Sequence, residues 1–266
     1  MGRALKEKLE QIYSTYNKKE YINPDPLLFL YNYRQKKDRE IAALIAACFA
    51  YGQVAQIMKT VGSILETLAP SPFDYILNET EKKIVGDFKG FKYRFAKDHH
   101  LTALLLGIKT TLTGFSSLED CFCSQMTPDR NTVQSGLEAL FHHINPNRAC
   151  GHLMADPCEK SACKRSHLFL RWMVRKDRVD PGGWKMIRPA QLIVPLDTHM
   201  YKTGILLGFT DRKGQDIKTA RDITHGFSRL IPEDPVKYDF CLTRFGIRKG
   251  LDMDKLKKNL LSRGIV

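Results

Sequence analysis

A carboxylate and an imidazole stand directly after the most apolar stretch of the chain, LIVPLDTHM at residues 192–200. Asp197 in this segment predicts a helix N-cap whose side chain accepts the backbone N–H of His199 or Met200, and the helix is expected to end at Gly208. Many aspartates at such positions are only caps. A fixed anion at a helix start can also stabilise a developing positive charge, position a water molecule or help to deprotonate an amine. Asp197 is therefore the first candidate for chemistry.

A second candidate lies in SACKRSHLFLRWMVRKDR, residues 161–178. Ser161 can cap a helix here, and the cations and one histidine then share one face of it. These residues are Lys164, His167, Arg171 and Arg175. A basic stripe on an otherwise apolar helix needs an anion opposite it, which could be a phosphate backbone or an acidic helix of the same protein. The amine of Lys164, in the first turn, is a candidate nucleophile.

Aromatic and cationic residues alternate in a third segment, FKGFKYRF at residues 88–95. An aromatic ring can stack on a base while a neighbouring cation contacts a phosphate. The alternative is a loop between helices, with aromatic rings in the core and cations in water. We favour this alternative for Phe91 and Phe95, because large aromatic side chains are mostly buried. Arg94 is kept as a candidate phosphate contact.

The elements that must position these residues are helical. Apolar residues recur at intervals of three and four along most of the chain, for example at Ile57, Val61, Ile64 and Leu65. Asp38 is expected to cap a central, closely packed helix that contains IAALIAACFAY. Alternation of β-branched residues is scarce. The sequence therefore predicts an all-α protein with about ten helices.

Length, charge and cysteine content limit which kinds of protein this chain can be. The 266 residues suit one large domain or two modest lobes. No segment has the apolar length of a membrane span or a signal peptide, so we expect no membrane partner and a cytoplasmic location. A net charge of +13 suggests a polyanionic partner, most often nucleic acid. The seven cysteines match no zinc motif, so we expect reduced thiols, no metal and no cofactor.

Two of these segments resemble a known family. Pro195-Leu196-Asp197-Thr198-His199 resembles the V-D-T-H segment of the helix-hairpin-helix DNA glycosylases, the superfamily of endonuclease III. SACKRSHLFL is similar to the family's K-x-A-x-x-x-L pattern, although Ser166 stands at the position of the alanine. The resemblance implies that Asp197 is the catalytic carboxylate and that Lys164 is the Schiff-base nucleophile of a bifunctional enzyme.

The resemblance extends over roughly residues 38–247. Ala50-Tyr51-Gly52-Gln53 looks like the family's S-A-Q-x-T segment, whose glutamine enters the duplex, and YDFCLTRFG at residues 238–246 looks like its late helix ending in a glycine. The chain is most similar to an uncharacterised bacterial branch of the superfamily, which carries the same SACKR…FLRWMVRKD and PLDTH phrases.

The chain also departs from the family pattern. The family hairpin reads L-P-G-V-G, whereas residues 154–160 contain no glycine and two acids, so we expect a remodelled hairpin. Lys164 and Asp197 are farther apart in sequence than in the family, because residues 176–189 look like an insertion. Only Cys241 follows Asp197, so the four-cysteine iron–sulfur loop is absent.

The resemblance implies a two-lobed fold, with about residues 40–190 in a central lobe and residues 1–39 and 191–266 in a second lobe. The function it implies is cleavage of the N-glycosidic bond of a damaged or modified base in duplex DNA, with abasic-site lyase activity if Lys164 is the nucleophile. We expect a cytoplasmic, nucleoid-associated protein. The expected nucleic-acid contacts are Gln53, Tyr51, Arg94, Arg165, Arg171 and Lys176.

Two alternatives stay open. One is a non-catalytic nucleic-acid-binding protein that keeps the fold and has lost the chemistry, which the altered hairpin supports. The other is an enzyme that acts on RNA or on modified nucleotides and uses the same carboxylate differently.

Overall fold

A computed structural model describes residues 2–126, 133–248 and 250–261. The chain is about 62% helical and its only two strands in these ranges are two residues long, which confirms the all-α prediction. Thirteen α-helices are present in the described ranges, three more than expected, because several are short. They are α1 (Gly2–Tyr16), α2 (Lys36–Cys48), α3 (Val54–Thr67), α4 (Pro72–Asn78), α5 (Glu81–Asp87), α6 (Asp98–Gly114), α7 (Leu118–Cys123), α8 (Val133–Ile144), α9 (Lys164–Val174), α10 (Thr198–Leu206), α11 (Ile217–Ser228), α12 (Asp239–Ile247) and α13 (Met253–Leu261). Strands β1 (Lys92–Tyr93) and β2 (Ala96–Lys97) form an antiparallel hairpin, and 3-10 helices lie at Lys19–Tyr21, Pro26–Asn32, Gly151–Leu153 and Pro189–Gln191.

Helix α2 forms the centre of the fold. All of its residues from 40 to 48 are buried, and its alanines allow close packing against α4, α9 and the 3-10 segment Pro26–Asn32. The predicted cap is wrong, because α2 begins at Lys36, two residues before Asp38. Asp38 Oδ1 instead accepts hydrogen bonds from Ser71 Oγ at 2.7 Å and from Phe73 N at 3.0 Å, so it stabilises the start of α4.

Two buried glutamates hold the segment 176–189 against α2 and α7. Trp184 Nε1 donates to Glu40 Oε2 at 2.9 Å, and Met186 N donates to Glu119 Oε1 at 2.8 Å. Burial raises the pKa of Glu40 to about 7. The segment that the resemblance marks as an insertion is therefore tied to the core at Trp184 and Met186.

The two ends of the chain pack together. Helix α1 contacts α12 and α13, and Lys237 Nζ and Tyr238 OH donate to Glu10 at 2.7 Å and 2.6 Å. The division of the chain into two lobes stays a prediction. Across the described ranges, no helix is both long enough and apolar enough to cross a bilayer.

Candidate active site

The two oxygens of the Asp197 carboxylate have different partners. Asp197 is the N-cap of α10, and Oδ1 accepts from His199 N at 2.9 Å and from Met200 N at 2.8 Å, as predicted. The helix ends at Leu206, and Gly208 follows with a φ of +68°, which favours glycine. Oδ1 makes both cap bonds, and Oδ2 makes neither.

Lys164 lies opposite that oxygen. It is the first residue of α9, its side chain is 37% exposed, and its Nζ is 3.9 Å from Asp197 Oδ2. The predicted cap at Ser161 is wrong, because Cys163 occupies the N-cap position with a φ of +43° and Ser161 Oγ accepts from Cys163 N at 3.2 Å. The starts of α9 and α10 therefore bring together two residues that are 33 positions apart in the sequence.

Both side chains line a cavity of about 360 Å³, within the range of small-molecule sites. The lining comes from the loop after α2, the first turns of α3, the helices α9, α10 and α12, and the residues before them. The lining residues are Asp25, Pro26, Ala50, Tyr51, Gly52, Val54, Ile57, Lys164, Leu168, Arg171, Pro195, Asp197, His199, Asp239, Thr243, Arg244, Gly246 and Ile247. The cavity thus combines apolar side chains with charged ones, among them the Asp197–Lys164 pair.

Buried ion pairs lie beside the cavity. Arg171 is 3% exposed and contacts two carboxylates, Asp180 at 3.2 Å and Asp239. Arg175 is also buried and pairs with Asp177, at 2.9 Å, and with Asp180. The geometry therefore does not support a role for Arg171 in binding phosphate. The carboxylates that pair with Arg171 and Arg175 belong to the protein itself, which was the alternative to a phosphate backbone that the sequence left open.

Arg165 is also engaged within the protein. Its Nη1 donates to Cys48 O at 2.8 Å, its Nη2 donates to His152 O, and its guanidinium lies 5.2 Å from the ring centre of Tyr51. It lines a neighbouring cavity of about 250 Å³. These bonds tie the end of α2 to the start of α9, so the geometry does not support a role for Arg165 in binding phosphate.

Tyr51 borders both cavities and is half-buried. Its hydroxyl is 2.8 Å from His152 Nε2, and its ring makes an edge contact with Tyr93 at 5.1 Å. Burial raises the pKa of Tyr51 to about 12, so the phenol is neutral at physiological pH. Its fixed ring forms part of the cavity wall.

The remaining expected contacts are exposed. Gln53 precedes the first turn of α3 and makes no side-chain cap, and Lys176 follows α9. Arg94 lies in the turn between β1 and β2 with a φ of +50°, close to Gly52. The prediction that Phe95 faces the core is wrong, since its side chain is 71% exposed, whereas Phe91 packs against the core. Three different groups are thus exposed to solvent, namely the amide of Gln53, the guanidinium of Arg94 and the ring of Phe95.

Both acids of the hairpin-like segment at residues 154–160 pair with Arg148, which precedes the segment. Arg148 Nη1 contacts Glu159 Oε1 at 2.9 Å, and Arg148 Nη2 contacts the Asp156 carboxylate. Cys158 N donates to Asp156 Oδ1 at 2.8 Å. The backbone N–H of Cys158 is therefore used within the loop. The hairpin pattern of the glycosylases that the sequence resembles has glycines that hold a phosphate at this place.

Sequence reasoning missed the contribution of α12. Asp239 and Arg244 line the cavity as buried charges, and Gly246 lies against His199 so closely that a Cβ would collide with the imidazole. Charged residues within the aromatic run YDFCLTRFG were the available signal. Within the described ranges, no three His, Cys, Asp or Glu side chains gather where they could hold a metal ion.

Residues 25–248 match the model of a family described as "Protein of unknown function (DUF2400)". Because the match spans most of the chain, the protein belongs to this family. No curated protein and no solved structure matches it.

Proposed function

We propose that this member of the DUF2400 family is a DNA glycosylase-like enzyme that cleaves the N-glycosidic bond of a damaged or modified base. The observation that carries the proposal is the placement of Asp197 Oδ2, 3.9 Å from Lys164 Nζ on the wall of a cavity of about 360 Å³. A carboxylate and an amine at this separation can act on one carbon atom from adjacent positions.

Asp197 stabilises the transition state in this proposal. As the bond between C1′ and the base lengthens, the sugar gains positive charge, and a fixed anion beside it lowers the barrier. The two cap bonds to Oδ1 hold the carboxylate before the substrate arrives, so little reorganisation is needed. The side chain is 17% exposed, which limits competition from water.

Lys164 supplies the nucleophile. Once deprotonated, its amine forms a bond to C1′ while the base leaves with the electron pair of the glycosidic bond and takes a proton from water. The nitrogen then loses a proton, the C1′–O4′ bond breaks and O4′ takes up a proton, which leaves an imine at C1′. Loss of a proton from C2′ of this imine expels the 3′ phosphate. The nearby Asp197 carboxylate can accept the proton that the amine loses.

Duplex DNA is the proposed partner, and a nucleoid-associated location follows from it. The net charge of +13 favours a polyanion. Arg94 and Lys176 supply exposed cations for phosphates, and Gln53 can fill the space left when a nucleotide leaves the stack. The exposed ring of Phe95 adds a surface on which a base can stack.

A non-catalytic nucleic-acid-binding protein is the second candidate. The observation that favours it is the segment 154–160, whose two acids are paired with Arg148 and whose Cys158 N–H is bound within the loop. Such a loop offers less to a phosphate than a glycine-rich hairpin does.

The test is release of base from a panel of duplexes that each contain one damaged or modified base. Asp197→Asn keeps an oxygen that can cap α10, so we expect normal duplex binding and a rate reduced by about a hundredfold to a thousandfold. Asp216→Asn is the matched control, since Asp216 caps α11 by accepting from Thr219 N at 2.9 Å and lies outside the cavity lining. Base release by Asp197→Asn at the wild-type rate contradicts the proposal. Duplex binding without base release from any member of the panel supports the binding protein.

A further inference from the structure

Helix α11 carries a row of basic side chains on the face opposite its buried one. Its buried residues include Ala220, Ile223 and Phe227. Four exposed basic residues recur at intervals of three and four positions, so they fall within about 80° of one another around the helix axis. These residues, which we call the α11 stripe, are Lys218, Arg221, His225 and Arg229.

No acid of the protein neutralises the α11 stripe. Among the described residues none of its members forms an ion pair, and Asp222, the one acid of the helix, lies 3.9 Å from Arg212 Nε and accepts from Thr210 Oγ1 at 3.3 Å. Like charges three and four positions apart destabilise a helix. The helix dipole also disfavours a cation in the first turn, where Lys218 lies. The stripe therefore costs α11 stability unless an anion from outside the protein lies against it.

Hydrogen bonds fix α11 beside the elements that carry the Asp197–Lys164 pair. At the start of the helix, Ile217 N donates at 3.3 Å to a carbonyl oxygen of the loop that precedes α9. Farther along the helix, Thr224 Oγ1 accepts at 3.1 Å from Val194 N, in the segment that leads to Asp197. An anion held along the stripe is therefore held at a fixed position relative to the cavity.

We propose that the α11 stripe binds the phosphate backbone of the duplex whose nucleotide enters the cavity. This inference rests on the proposed function and deepens it by adding a backbone-binding surface. The stripe is about 16 Å long, and that length of B-DNA axis carries about five phosphates on each strand. A row of exposed cations suits an extended polyanion better than a single small anion, because its charges are spread along a line. Such contacts position the protein on DNA and read no base sequence.

The test is the salt dependence of binding to an undamaged duplex, measured by fluorescence anisotropy with the full chain. The variant Lys218→Ala/Arg221→Ala/Arg229→Ala removes three exposed cations and replaces them with the best helix former. We expect the magnitude of the slope of log affinity against log salt to fall by about three. At about 0.1 M salt the affinity should fall roughly a hundredfold. The variant Lys218→Arg/Arg221→Lys/Arg229→Lys keeps the charges and should keep the slope.

The matched control is Lys255→Ala/Lys257→Ala/Lys258→Ala in α13. It removes the same charge from exposed positions of a helix, but these positions are spread over about 160° and form no row. We expect it to change the slope by less than one. If the alanine variant of the stripe fails to fold, Lys218→Ala and Arg229→Ala are measured singly, and each should lower the magnitude by about one.

Three results overturn the inference. One is a wild-type slope in the stripe variant, and another is an equal fall in the slope for the stripe variant and the α13 control, which would make net charge the cause. The third is a stripe variant that binds duplex DNA normally and loses affinity for structured RNA.

Duplex binding requires no catalysis, which separates this inference from the proposed function. A slope that depends on the stripe, in a protein that releases no base from any damaged duplex, leaves the inference standing and removes the glycosylase function. Base release by a stripe variant that binds DNA with the wild-type slope keeps the function and removes the role of the stripe. A wild type that binds no duplex contradicts both.

Discussion

His167 predicts a measurable pH dependence of stability in the helix that carries Lys164. The residue lies three positions after Lys164 on α9 and is 1% exposed. Neither ring nitrogen has a hydrogen-bond partner among the described residues. Burial lowers the pKa of His167 to about 4, and the positive charge of Arg221 adds to the effect. The imidazole is therefore neutral in the folded protein at pH 7.

The magnitude follows from the two protonation equilibria. The ordinary pKa of histidine, 6.5, applies to the unfolded chain, and the folded value is about 4. Between these values the unfolded chain binds a proton that the folded chain does not, so stability falls as the pH is lowered from 6.5 to 4. Each pKa unit corresponds to about 1.4 kcal/mol, which gives a loss of about 3 kcal/mol over this range. Above pH 6.5 the contribution is constant.

The assay is urea unfolding of the wild type and of His167→Leu at several pH values between 4 and 7. Other buried acids titrate in the same window with the opposite sign, including Glu40 and Asp239, so the difference between the two proteins is the informative quantity. We expect the variant to gain about 3 kcal/mol relative to the wild type as the pH falls from 6.5 to 4. His225→Leu, which removes an exposed histidine, is expected to follow the wild type. Parallel curves for the wild type and His167→Leu would refute the reasoning.

Four further predictions concern the cavity and the proposed DNA surface. Arg171→Met leaves the buried Asp239 carboxylate without its ion-pair partner and removes one of the two cations that pair with Asp180. It should lower the free energy of unfolding by about 3–5 kcal/mol, measured with urea. Gly246→Ala should displace His199 and slow base release by about a hundredfold with little change in duplex affinity, as rate and binding assays on the same duplex will show. Lys176→Ala should reduce the magnitude of the negative slope of log affinity against log salt by about one. Glu159→Gln should tighten duplex binding at low salt by up to about fivefold. An unchanged unfolding free energy, an unchanged rate or an unchanged salt slope would contradict the corresponding assignment.

Local patterns predicted local structure well. The spacing of Ile57, Val61, Ile64 and Leu65 marks the buried face of α3, and all four residues are buried. The cap at Asp197 formed as predicted, because its partners are two and three residues away. The helix caps predicted at Asp38 and Ser161 did not form, because these side chains bind other groups. Asp38 stabilises α4 instead of its own helix.

The site depended on contacts that are distant in sequence. Arg171 looked like a phosphate ligand because its partner Asp239 lies 68 positions away, and no local pattern could reveal the pair. Phe95 was expected in the core, but the β1–β2 turn is too short for strand periodicity and places the ring in water. The resemblance to the glycosylases implied that Lys164 and Asp197 lie close together. In the structure Lys164 Nζ is 3.9 Å from Asp197 Oδ2.

The most direct test of the central claim is borohydride trapping on a duplex that carries an abasic site. If the Lys164 amine forms an imine at C1′, borohydride reduces it to a stable covalent adduct between protein and DNA. The wild type and Lys160→Ala, which removes an exposed lysine from the preceding loop, should both give the adduct, and Lys164→Ala should give none. An adduct that persists in Lys164→Ala, or no adduct from a wild type that binds the duplex, would contradict the assignment of Lys164 as the nucleophile.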